Sequence, residues 1–162
     1  MLKDFAELMR YKELLIRLVV RDIKVRYKNS FLGFLWSLLN PLLQVAAITF
    51  AFRKVLAIDI PNYSAYLLCA FLPWSFFQMS VLDASMSILL QSPLVKKSYF
   101  PREILPISIV LSNLVHFLLA LAVFFFYLLI RGTEIQITWL MLPVVVFIQL
   151  MFNMGIALFV SA

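Results

Sequence analysis

Glycine is scarce in this chain of 162 residues: only Gly33, Gly132 and Gly155 occur. A loop that cradles nucleotide phosphates needs several glycines close together, so no P-loop can be built here and ATP hydrolysis by that route is excluded. Cysteine and histidine are scarcer still. Cys69 and His116 stand alone in different apolar segments, so by themselves they make neither a disulfide nor a metal site. Acidic residues number 8 against 14 Lys and Arg, and no clustered nucleophile, base or metal-ligand set lies in or beside the apolar stretches. No catalytic residue and no metal are therefore expected, which leaves a membrane enzyme without support. A cleavable signal peptide is not expected either, because some thirty charged and amphipathic residues, roughly, precede the first apolar run.

What the chain has in quantity is apolar side chains, 64% of the total. They gather in four stretches, at about 31–52, 63–90, 104–130 and 139–162. Each is long enough to cross a bilayer, whose hydrocarbon core takes roughly 20 helical residues. Backbone groups inside lipid must pair internally, and these runs lack the short alternating strands of a barrel, so the expected fold is all-α, a polytopic transmembrane helical bundle. Positive charge sets its orientation. Lys3, Arg10, Lys12, Arg17, Arg21, Lys24, Arg26 and Lys28 precede the first stretch, and Lys96, Lys97 and Arg102 lie between the second and third. Only Arg53, Lys54 and Arg131 fall in the other two loops, which places the amino end and the 91–103 loop in the cytoplasm. The net charge of +6 follows from that topology and from anionic headgroups; no nucleic-acid partner is needed to explain it.

Residues 1–30 read as an amphipathic helix. Phe5, Leu8, Met9, Leu15, Ile16, Val19 and Ile23 fall on one face and the basic residues on another. Such a helix, with Arg17, Arg21, Lys24, Arg26 and Lys28 on its polar side, is expected to lie in the cytoplasmic interface with its apolar side among the acyl chains. Packing on a soluble partner is the alternative. The loops at 53–62 and 131–138 are short, so neighbouring spans run antiparallel and leave no room for an external domain. Asn62-Tyr63-Ser64 matches a glycosylation pattern, but it lies too close to the bilayer to carry weight. The loop from Gln91 to Glu103 is different: Pro93 and Pro101 bound about two turns of helix, and Leu94, Val95, Tyr99 and Phe100 give it apolar contact surface.

Polar residues recur at helical spacing inside the spans: Gly33, Ser37, Asn40 and Gln44 in the first, Ser108, Ser112 and His116 in the third, Gln149, Asn153 and Ser161 in the fourth. These stripes either glue helices together or line a hydrophilic conduit. Asp83 is the one acidic residue within a span. It lies about 10 Å from the cytoplasmic end of its helix, within reach of headgroup water or of Lys96, Lys97 or Arg102. His116, nearer the bilayer middle, is expected to be neutral and bonded to a neighbouring serine or amide. A proton relay through Asp83 and His116 would make the chain an ion-coupled carrier or channel.

RDIKVRYKNSFLGFLWSLLNPLL, Arg21 to Leu43, and LPWSFFQMSVLDASMSILLQSPLVKKSYFPREILPIS, Leu72 to Ser108, resemble the membrane subunits of polysaccharide ABC exporters. These are the ABC-2-type permeases that export bacterial O-antigen, capsule and teichoic acid. The resemblance implies a multi-pass protein of the bacterial cytoplasmic (inner) membrane, amino terminus inside, that forms a homodimer and joins two copies of an ABC nucleotide-binding subunit. ATP and Mg would then be bound by that partner, with no cofactor in this chain, and an undecaprenyl-linked polysaccharide would be moved outward. It further implies that the short helix between the second and third spans, Leu89, Leu90, Gln91, Ser92, Pro93, Leu94, Val95, Lys96, Lys97, Ser98 and Tyr99, enters a cleft of the ATPase, with the amphipathic helix as a second contact. Ser37, Asn40 and Gln44 are candidates to line the conduit with hydrogen-bonding groups, and Phe31, Phe34, Trp36 and Trp74 to offer apolar faces to sugar rings. Permeases of this kind usually have six spans, so this chain is expected to be either a piece of a longer permease or a minimal version. An ABC-2 permease for drugs or lipids shares the architecture without the same motif agreement.

Overall fold

The computed structural model describes residues 11–27, 39, 42–52, 63–90, 103–130, 132 and 137–161. Every regular element among them is helical: α1 (Lys12–Tyr27), α2 (Leu42–Phe52), α3 (Tyr63–Leu90), α4 (Ile104–Ile130), a 3₁₀ turn (Ile137–Met141) and α5 (Leu142–Ser161). Three stretches are long and apolar enough to cross a membrane, Tyr63–Ser87, Ile104–Ile130 and Trp139–Ser161, and α2 supplies the described part of the first expected span. The fold is thus the expected all-α membrane bundle.

The order of contacts gives the helix directions. Gln149 of α5 meets Pro73 of α3, and Phe152 meets Phe77; the two sets of numbers rise together, so α3 and α5 run in the same sense. Helix α4 packs against both of them and against α1. The core lies where α3, α4 and α5 converge, with Val45 of α2 added to Leu68, Leu72, Phe76, Val110, Phe117, Phe124 and Ala157. Its centre is the stacked pair Phe76 and Phe117, with ring centroids 5.0 Å apart and planes 8° from parallel.

Several serines within the spans are satisfied by their own helix, whereas Ser80 Oγ and both amide ends of the buried Asn153 have no partner among the described residues. The hydroxyls of Ser75, Ser87 and Ser108 donate to carbonyls three residues back, at 2.8, 2.6 and 2.8 Å. Pro73 interrupts α3: having no N–H, it leaves the Cys69 carbonyl without its usual intrahelical donor. At the same level Gln149 Nε2 donates to the Pro73 carbonyl at 2.7 Å and ties the joint to α5. Helix α4 ends in a left-handed residue, Gly132 at φ 70°, whose N–H donates to the Leu129 carbonyl at 3.0 Å. A side chain there would meet nothing within 4 Å, so the requirement for glycine lies in the backbone and not in space.

Because Phe76 and Phe117 are 2% and 4% exposed, Phe117→Ala leaves a cavity that a rigid three-helix contact cannot close. It should lower the stability of the detergent-solubilised protein by about 3 kcal/mol, read as a shift of the denaturant midpoint.

Candidate functional site

Helix α1 has more than one apolar surface. Tyr11, Leu14, Leu15 and Leu18 pack on Ile104 and Leu105 at the start of α4, and Leu18 is buried there. Of the apolar face expected among acyl chains, Leu15 packs on α4 and Ile16 is exposed, while Phe5, Leu8 and Met9 lie outside the described residues. On a second surface Ile16, Val20 and Val25 are exposed beside Arg17, Arg21 and Lys24, with nothing among the described residues covering them. Contacts between α1 and α4 climb from Leu105 to His116, a rise of about 16 Å, so α1 runs alongside the first half of α4 in the same sense.

At its carboxyl end α1 meets two spans at once. Arg26 Nη2 donates to Asp83 Oδ2 of α3 at 3.1 Å, and Asn113 Nδ2 of α4 donates to the same oxygen at 3.1 Å. The next residue, Tyr27, places its hydroxyl 2.8 Å from His116 Nδ1. One turn below, Ser112 Oγ donates to the Ser108 carbonyl at 2.9 Å and lies 3.5 Å from the Val19 carbonyl of α1. Two consecutive residues of α1 therefore reach α3 and α4 together. A cleft of about 540 Å³ opens beside them, lined by Asp22, Val25, Arg26, Leu82, Asp83 and Ser112 among others.

Asp83 pairs with Arg26 and Asn113, while Lys96, Lys97 and Arg102, the partners expected for it, lie outside the described residues. One expectation changes here. His116 bonds to a tyrosine of α1, not to a serine or amide. The stripe Ser108, Ser112, His116 is buried; Ser112 and His116 meet α1, and Ser112 also borders the cleft. Tyr27 and Asn113 were not singled out in the sequence. Asn113 follows Ser112 in that same stripe, which was the available signal; Tyr27 is masked by the basic residues around it.

The remaining candidates divide by position. Arg17 and Lys24 are exposed, and Arg21 Nη2 pairs with its neighbour Asp22 at 2.7 Å. Gln44 is exposed on α2, and Trp74 is 59% exposed on α3 with its ring 5.7 Å from Phe77. Lys28, Phe31, Phe34, Trp36, Ser37, Asn40 and the loop from Gln91 to Tyr99 lie outside the described residues, as do the side chains of Leu89 and Leu90. Among the described residues no three His, Cys, Asp or Glu are grouped to hold a metal.

The sequence profile of the ABC-2 type transporter matches residues 13–162, from the first turn of α1 to the end of α5. The chain belongs to the ABC-2 type transporter family. Two proteins of Klebsiella pneumoniae named O-antigen export system permease protein RfbA are 35% and 34% identical to it over 150 residues, 92% of this chain and 58% of theirs. A protein of the same name from Myxococcus xanthus is 37% identical over 166 residues, 100% of this chain and 62% of its own. The chain thus spans about three fifths of the length of these ABC-2 relatives. Their names are those of export-system permeases.

In this ABC-2 chain the Arg26 and Asp83 side chains are 33% and 43% exposed, so solvent screens the ion pair. A double-mutant cycle of Arg26→Ala and Asp83→Ala should give a coupling below about 1 kcal/mol. Asn113→Ala, which strips a buried donor from a carboxylate, should cost about 1.5–3 kcal/mol, measured by denaturation in the same detergent.

Proposed function

We propose that this chain is the membrane subunit of an ATP-driven exporter of lipid-linked polysaccharide, O-antigen-like and carried on undecaprenyl, in the bacterial inner membrane with the amino terminus in the cytoplasm. The observation that supports it most is the extent of the family match: it takes in α1, all the described spans and the 91–103 loop, and three relatives at 34–37% identity carry the name O-antigen export permease. Without a P-loop, the chain takes its work from ATP and Mg bound on a separate nucleotide-binding subunit. Two permease copies and two such subunits make up the assembly.

The geometry suits mechanical coupling. The 91–103 loop joins α3 to α4, and those two helices carry Asp83 and Asn113, which together hold Arg26 of α1. A push on the loop reaches α1 through both. The outward surface of α1, with Ile16, Val20 and Val25 beside Arg17 and Lys24, fits the boundary between headgroups and acyl chains. A sugar chain needs a wet route, and Ser37, Asn40, Gln44 and the aromatic faces Phe31, Phe34, Trp36 and Trp74 are the candidates to line it between the two copies. Asp83 and His116, the groups an ion-coupled carrier would use, are both engaged in bonds that seat α1.

The test is reconstitution. Co-expressed with its genomic neighbour of the nucleotide-binding class, the permease should co-purify with it, and Leu94→Asp or a glutamate at Lys96 should abolish that association and leave polysaccharide inside the cell. Undiminished association and export with the loop so altered would refute this reading.

A further inference from the structure

A buried amide in lipid needs partners for both ends. Asn113 is 2% exposed; its Nδ2 is spent on Asp83, while its Oδ1 is buried without a protein partner. Asn113 also lines a small chamber between α3 and α4, about 20 Å³ in volume, together with Ser75, His116, Leu72, Phe76 and Phe117. That volume holds one water, which requires about 10–15 Å³ and two to four polar partners. Three are present. Ser75 Oγ donates to the Leu72 carbonyl at 2.8 Å and keeps its lone pairs; His116 has Nδ1 engaged by Tyr27 and Nε2 as its second ring nitrogen; Asn113 Oδ1 is an acceptor buried without a partner.

We propose that one water bound by Asn113, His116 and Ser75 closes a hydrogen-bonded clasp that runs from Arg26 through Asp83, Asn113 and His116 back to Tyr27, and that this clasp sets how α1 sits on the bundle. The proton directions agree at every step. Tyr27 O–H donates to Nδ1, which puts the imidazole proton on Nε2. Nε2–H donates to the water, and the water donates to Asn113 Oδ1 and Ser75 Oγ. Asn113 Nδ2–H and Arg26 Nη2–H both donate to Asp83 Oδ2. The chain of bonds leaves α1 at Arg26 and returns at the adjacent residue, so the last turn of α1 is fixed in position and in rotation. A single ion pair would fix only the first. Asp83 and His116 are positioning residues in this reading, acting on cargo only through α1.

The clasp does not rest on what the permease carries, and its test needs no cargo. His116 is the chain's only histidine, so ¹⁵N-histidine labelling of the full chain in lipid nanodiscs reports on one ring. The expected spectrum is a neutral imidazole protonated at Nε2, with a correlation from Hε2 to a water that exchanges slowly with bulk. A proton on Nδ1, or no bound water beside Hε2, would overturn the proposal. Seating is read separately, from thiol labelling of Leu18→Cys in a Cys69→Ser background. Tyr27→Phe and Asn113→Leu should each raise the labelling rate about five- to tenfold, the factor of one lost net hydrogen bond. Labelling that stays at the parent rate in Tyr27→Phe and Asn113→Leu would equally overturn it, even if export proceeds as proposed above.

Discussion

Hydrocarbon does not solvate polar groups, and most of the specific structure in this chain answers that constraint. Ser75, Ser87, Ser108 and Ser112 turn their hydroxyls back on their own helices. Gln149 finds a carbonyl at a proline joint, and the one acidic residue in a span meets a guanidinium and an amide. Apolar packing of Leu18 on Ile104 and Leu105 holds α1 against α4 but is indifferent to a few degrees of roll. The directional bonds at Arg26, Tyr27 and Ser112 remove that freedom.

The helices were legible because length and apolarity suffice to define a span, and the amphipathic character of α1 was legible from its spacing. Which surface of α1 would be covered was not. Helical periodicity separates polar from apolar but cannot tell an acyl chain from a neighbouring helix, so Leu14, Leu15 and Leu18 looked alike to Ile16 and Val20. The partners of Asp83 and His116 were hidden for another reason: Arg26 lies 57 residues from Asp83 and Tyr27 lies 89 from His116, separations that no local pattern encodes. Lys96 and Lys97, near Asp83 in sequence, lie outside the described residues. The helical spacing of Ser108, Ser112 and His116 gives one face, and all three are buried.

The proposed exporter divides labour between chains, with nucleotide chemistry outside this one and only rigid connection within it. That division suits a permease whose polar interactions are few and concentrated at one junction. Energy delivered at the 91–103 loop meets α3 and α4 before anything else, and the bonds of Asp83 and Asn113 to Arg26 pass the displacement on to α1. The exposed flank of α1, basic and apolar at once, would then move through headgroups and not through water.

Pro73 makes α3 a jointed rod. Its two halves share one fewer internal bond than any other turn of the helix, and Asp83 rides on the half away from the joint, about 15 Å along at 1.5 Å per residue. A tilt of about ten degrees there, the kind of flexure prolines commonly permit, would displace the carboxylate by about 2.6 Å, nearly the length of the bonds it makes. A modest bow in one transmembrane rod, pinned to its neighbour by Gln149, is therefore sufficient leverage to loosen the grip of Asp83 on Arg26 while the packing of Leu18 on Ile104 and Leu105 keeps the amino-terminal helix in place.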